Sequence, residues 1–171
     1  MESRFKLLGH PPHQMLVAFP LGLLATSVIF DIIFLVADNA RWSEISYWMI
    51  VAGLIGGVIA APFGLIDWLT IPMGTRAKRI GLYHGLGNLF MLTAFFLSWF
   101  LRAPDVLYKP SNIALGLSFF GVMLGMFTGW LGGELVDRLA VGVDEGANLD
   151  APSSLSGQPA HVKVSRTSDI K

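Results

Sequence analysis

Gly56–Met91 reads GGVIAAPFGLIDWLTIPMGTRAKRIGLYHGLGNLFM and decides the fold. It holds the end of one apolar run, a short basic turn and the start of the next run. Asp67 stands just before the turn and His84 just after it. Ionisable groups at the ends of membrane-length runs call for a reason, because hydrocarbon solvates charge poorly.

Working outward, the chain carries four apolar runs, each long enough to span a bilayer, which takes roughly 20 residues. Of its 171 residues 53% are apolar and 14% charged, and the mean hydropathy is +0.60. The sequence therefore predicts an all-α integral membrane protein, an up-down bundle of four transmembrane helices, which makes the lipid bilayer its first partner. The formal net charge is zero, so no nucleic-acid partner is expected, and there is no cysteine for disulfides, iron–sulfur ligation or thiolate chemistry. The first run follows Arg4 and Lys6, yet it is too long for a signal peptide and lacks a cleavage site. It reads as a retained span.

The predicted membrane domain covers residues 1–141, with helices at about 13–37, 46–71, 79–101 and 112–139, the lengths a bilayer requires. Two prolines in His10-Pro11-Pro12-His13 predict an extended lead with a helix starting after them. Asp38–Ile45 and Arg102–Ser111 are expected as polar loops, with Trp42 and Trp48 at an interface. Residues 142–171 are rich in Gly, Pro and Ser, without apolar period, and are expected to be a disordered C-terminal tail.

Lys and Arg counts set the expected orientation. Arg4, Lys6, Arg76, Lys78, Arg79 and Arg138 fall on the side of the termini, against Arg41, Arg102 and Lys109 on the other. This predicts a multi-pass protein of a bacterial inner membrane with both termini in the cytoplasm. Small residues recur every fourth position: Gly121, Gly125, Gly129 and Gly133 in the last run, and Gly53, Gly57 and Ala61 beside Gly56, Ala60 and Gly64 in the second. Such rows allow tight helix packing, homo-oligomerisation through the glycine faces, or room for a flat cofactor. They do not by themselves make an internal repeat.

An up-down chain brings ionisable groups to one membrane face: His10 and His13 before the first span, Asp67, His84, and Glu134 with Asp137 and Arg138. For each residue alone, a polar group at a helix end is ordinary; the convergence of all four spans is the functional signal. His84, Asn88 and Met91 share a helical face, so Asn88 is placed to support a histidine ligand or to bond another helix. Asp67 shares its face with Gly64, Ala60 and Gly56. Asp31 lies 18 residues beyond His13, about 27 Å along the same stripe at 1.5 Å per residue. Arg102 is its expected ion-pair partner.

The stretches GHPPHQMLVAFPLGL, GLIDWL with His84 and Asn88 following, and GGELV with a short VGV resemble a bacterial membrane family known as domain of unknown function 2231. The resemblance covers about residues 8–143 and carries over His10, His13, Asp67, His84 and Glu134. The chain departs from the pattern at Gln14, where the family often has proline, and at Ala18, where some members have a histidine. The resemblance implies a four-helix membrane protein. Because some relatives are joined to Rieske-type iron–sulfur domains, it also implies electron transfer with a Rieske-type or other redox partner.

Four functions follow. The first is a b-type haem electron-transfer protein, with His10, His13, His84 and Asn88 as cofactor residues and two axial histidines on iron. The second is a divalent metal site of His13, His84, Asp67 and Glu134, joined by His10, with hydrolysis open to it if a coordination position is free. The third is a proton- or ion-coupled carrier using Asp67, His84 and Glu134. The fourth is a non-catalytic partner subunit.

Overall fold

The computed structural model describes residues 1–162. Residues 163–171, the end of the tail expected to be disordered, lie outside the described residues. The chain forms α1 (Pro12–Leu16), α2 (Ala18–Ala37), α3 (Ala40–Thr70), α4 (Arg76–Arg102) and α5 (Asn112–Gly133), which continues as a π-helical turn, Glu134–Arg138. There are four membrane-length apolar spans: Pro12–Ala37, Ala40–Thr70, Arg76–Arg102 and Asn112–Arg138. The fold is thus the all-α four-span membrane protein read from hydropathy.

Local chemistry sets the boundaries. Pro11 is the extended cap and Pro12 occupies the first turn of α1, where its missing amide costs nothing. The first span breaks at Val17, between α1 and α2. Pro20 lies within reach of that break, because it cannot donate to the Leu16 carbonyl one turn back. The second span begins six residues earlier than the sequence predicts. Asp38 turns the chain in the left-handed region, and the Asn39 side chain accepts from the Arg41 amide. These two residues make the whole turn, and the polar stretch after them is helical. Thr75 caps α4 by accepting from the Lys78 amide, which also starts the third span ahead of its expected position.

The spans associate as two antiparallel hairpins, α2 with α3 and α4 with α5, joined along α3 and α4. Glycines make the close approaches. A Cβ on Gly53 would stand 2.6 Å from Leu24, and one on Gly121 would stand 2.7 Å from Phe95. Gly56 receives Pro20, Gly57 receives Leu92, and Gly125 receives Met91. The rows are therefore filled by the chain's own side chains. Gly129 points away, with nothing within 4 Å: fourfold spacing on a helix of 3.6 residues per turn drifts by about 40° at each step. Leu24, Val28, Ile50, Met91 and Phe95 form the buried apolar centre.

The N-terminal lead and the start of the tail close one end of the bundle together. The Met1 ammonium donates to the Ala140 carbonyl, and the Gly142 amide donates to the Met1 carbonyl. Lys6 bonds Glu2 and Asp144 at 2.7 and 2.6 Å. Ser154 donates to the Leu8 carbonyl. Residues 142–162, part of the tail expected to be disordered, thus make specific contacts with the lead.

Candidate functional site

Two polar layers cross the bundle, and both join the first span to the third. At the end away from the termini, Arg102 and Asp31 form a bidentate ion pair at 2.6 and 2.7 Å, with both side chains fully buried. The guanidinium also donates to Ser46 at 3.1 Å, Ser118 at 3.0 Å and Ser98 at 3.2 and 3.3 Å. All four spans contribute a partner. This is the ion pair that the 18-residue stripe from His13 predicts. The layer satisfies each charged oxygen and nitrogen, which a charge in hydrocarbon requires.

At the other end His13 and His84 stand with ring centroids 6.3 Å apart and planes at 87°. Each imidazole donates through Nδ1 to a backbone carbonyl: His13 to Ala60 at 3.1 Å, His84 to Thr128 at 2.9 Å. A carbonyl can only accept, so Nδ1 carries the hydrogen in both rings, which in a neutral imidazole leaves the lone pair on Nε2.

The two histidines are seated in the same way. The His13 ring lies on Gly64, where a Cβ would stand 2.7 Å from it, and it donates to the carbonyl four residues before that glycine. His84 lies on Gly132, where a Cβ would stand 3.3 Å away, and likewise donates to the carbonyl four residues before. The likeness continues along the hairpins. Leu24 on Gly53 and Phe95 on Gly121 occur at matching steps of 11 residues from each histidine and each seat glycine. Ser27 and Ser98, both fully buried, follow their histidines by 14 residues, and Asp31 and Arg102 follow theirs by 18. The first and third spans therefore carry one pattern twice, in the same direction. Eighteen residues are five full helical turns, so both polar layers fall on one face of each span. The histidines, seat glycines and serines recur in kind, while Leu24 matches Phe95 and Asp31 matches Arg102; the contacts disclose the duplication.

The other candidate residues are placed apart from this pair. His10 is exposed; a turn through Leu8 and Gly9, both at positive φ, directs its Nδ1 to the Leu8 carbonyl. Asp67 accepts a hydrogen bond from Ser3 of the lead. Glu134 opens the π-helical turn and pairs with Arg76 at 2.7 Å. Among the described residues no group of three or more His, Cys, Asp or Glu is arranged to hold a metal ion. The convergence read from the up-down topology brings these residues to one end of the bundle and joins only two of them. Asn88 does touch the pair, donating through Nδ2 to His84 Nε2 at 3.0 Å.

A haem fits this packing poorly. The glycine rows that would seat a porphyrin hold Leu24, Leu92, Met91, Phe95 and the Thr128 methyl, while the seats beside the histidines hold the imidazoles themselves. A single ion asks for far less room. Two metal–nitrogen bonds of roughly 2.0–2.1 Å with half an imidazole on each side would reach at most about 6.5 Å, so the centroid separation of 6.3 Å leaves room for an ion between opposed rings and would have to shorten for a tetrahedral one.

Sequence reading missed Ser3, Thr128, Ser46, Ser98 and Ser118. The serines and threonine in apolar spans were a usable signal, since hydroxyls there seek partners on other helices. The carbonyls of Ala60 and Thr128 had none, because every residue carries one.

Fold and site define the class: a four-span integral membrane protein with a histidine pair between its two hairpins. The chain belongs to the family described as "Predicted membrane protein (DUF2231)", which matches residues 9–145. No curated protein and no solved structure matches it.

Proposed function

We propose that this is a metal-binding membrane protein that holds one transition-metal ion between His13 and His84. The carrying observation is the matched seating of the two imidazoles, each with Nδ1–H tied to a backbone carbonyl. That bond fixes tautomer and ring orientation and leaves Nε2 as the ligating atom, the arrangement usual for metal-bound histidine. Imidazole ligands suit Zn, Cu and Fe. In this reading Asp67, bonded by Ser3, and Glu134, paired with Arg76, do not ligate. The electron transfer implied by the family resemblance, with a Rieske-type partner, would need copper or iron at this pair. A b-type haem would need the filled glycine rows to open. The Lys and Arg asymmetry supports a cytoplasmic position for the pair.

The test is metal analysis and an absorption spectrum on one detergent-purified preparation, with His13→Ala and His84→Ala beside it. One metal per chain, lost in both variants while the unfolding midpoint is kept, supports the reading. A Soret band would replace the bare ion with haem. No metal in the parent protein would leave the histidines a packing role.

A further inference from the structure

The two seats are alike except at two matched positions. Four residues after His13 stands Val17, and the carbonyl that accepts from His13 belongs to Ala60. Four residues after His84 stands Asn88, and the corresponding carbonyl belongs to Thr128. The polar pair closes a ring of hydrogen bonds around His84. The imidazole donates to the Thr128 carbonyl at 2.9 Å, the Thr128 hydroxyl donates to Asn88 Oδ1 at 2.8 Å, and Asn88 Nδ2 donates to His84 Nε2 at 3.0 Å. Thr128 is fully buried, and its methyl lies over Gly87, where a Cβ would stand 2.4 Å from it. The hydroxyl is thereby held on Asn88 and fixes which end of the amide faces the histidine.

The geometry points to Asn88 as the residue that sets which ion the pair accepts, an inference that rests on the metal reading above. With the amide as it stands, the lone pair of His84 is occupied, so an incoming ion competes with Asn88 for one of its two ligands. The competition can be released without stranding a group. The Thr128 hydroxyl has a second acceptor, the Gly125 carbonyl at 3.1 Å, so the amide can turn over and present Oδ1 where Nδ2 now lies. A soft monovalent ion served by two imidazoles gains nothing from that oxygen and only loses the hydrogen bond. A divalent ion that prefers four ligands, such as Zn2+, gains a third protein donor.

The test titrates Ag+ and Zn2+ separately into the full chain in detergent and into Asn88→Leu. Ag+ is expected to bind the variant roughly 2- to 10-fold more tightly, the worth of one neutral hydrogen bond no longer displaced. Zn2+ is expected to bind it more weakly. Thr128→Val keeps the amide and frees it to turn, so both ions are expected to bind that variant more tightly than the parent. Equal shifts of both ions in Asn88→Leu, or no shift, would overturn the assignment while leaving the metal site standing. If neither ion binds the parent chain, the metal reading fails, and this inference with it. Unfolding midpoints of both variants show whether the bundle is intact.

Discussion

The two polar layers use the same two spans at the same 18-residue step, yet they solve different problems. The Asp31–Arg102 layer buries full charges and answers them with a bidentate pair and three serines. The His13–His84 layer half-buries two imidazoles, each tied through Nδ1 to a backbone carbonyl, with Asn88 also on His84 Nε2. In the first layer every charged nitrogen and oxygen already has a partner, and the layer holds the spans together. The second presents two imidazole nitrogens, the one on His84 already bonded by Asn88, and the proposed ion would be held there. Charge in hydrocarbon must be saturated, whereas a neutral imidazole can remain partly unsatisfied at modest cost.

The largest effect should come from breaking the saturated layer. Arg102→Leu leaves Asp31 buried without its partner and should cost about 3–5 kcal/mol, the usual penalty for stranding one member of a buried pair. Removing both charges in Asp31→Leu with Arg102→Leu should recover most of that loss. Unfolding midpoints in detergent check both; equal losses in the single and double variants would show that the pair is not the unit.

Overpacking between the layers ranks next. Gly121→Leu forces a side chain against the fully buried Phe95 and should cost about 1–3 kcal/mol. Gly129→Leu on the same stripe meets open space and should leave the midpoint unchanged.

Opening the second layer should cost least stability and most function. His13→Ala removes one hydrogen bond to a carbonyl that keeps its helical partner, and His84→Ala removes that and the bond from Asn88; the losses should be about 1 and about 2 kcal/mol, with the metal lost in both. A loss as large as that of Arg102→Leu would put the two layers on the same footing.

The smallest effect concerns the lead–tail clasp. The hydrogen bond from Lys6 holds the Glu2 carboxyl below its ordinary 4.5. The carboxylate of Asp144 pushes Lys6 above its ordinary 10.5. A depressed acid stabilises the folded form above its unfolded pKa, and that contribution is lost as the pH falls through the lowered value. A raised base contributes below its unfolded pKa and loses the contribution as the pH rises through the raised value. Hydrogen exchange at residues 142–147 should therefore be flat from mildly acidic to mildly alkaline pH, once corrected for intrinsic rates. Protection should fall only in strong acid or strong alkali.

Much of this was legible in the chain. Four spans follow from hydropathy and length, and Asp31 and Arg102 follow from helical spacing. The π-helical turn at Glu134, the capture of Asp67 by Ser3 and the outward turn of His10 were not legible. Each depends on a short segment whose path is set by what it meets. The helix start at Ala40 was hidden because a polar helix end outside the bilayer has a loop's composition.

By itself the sequence determined that the chain crosses a membrane four times and that its ionisable groups gather at helix ends. Burying backbone in hydrocarbon leaves no other solution for such runs. The tertiary structure alone decided which of those groups meet. Helix rotation places His13 and His84 on glycine seats of the neighbouring spans, and backbone carbonyls, which no residue type announces, choose which nitrogen each histidine offers.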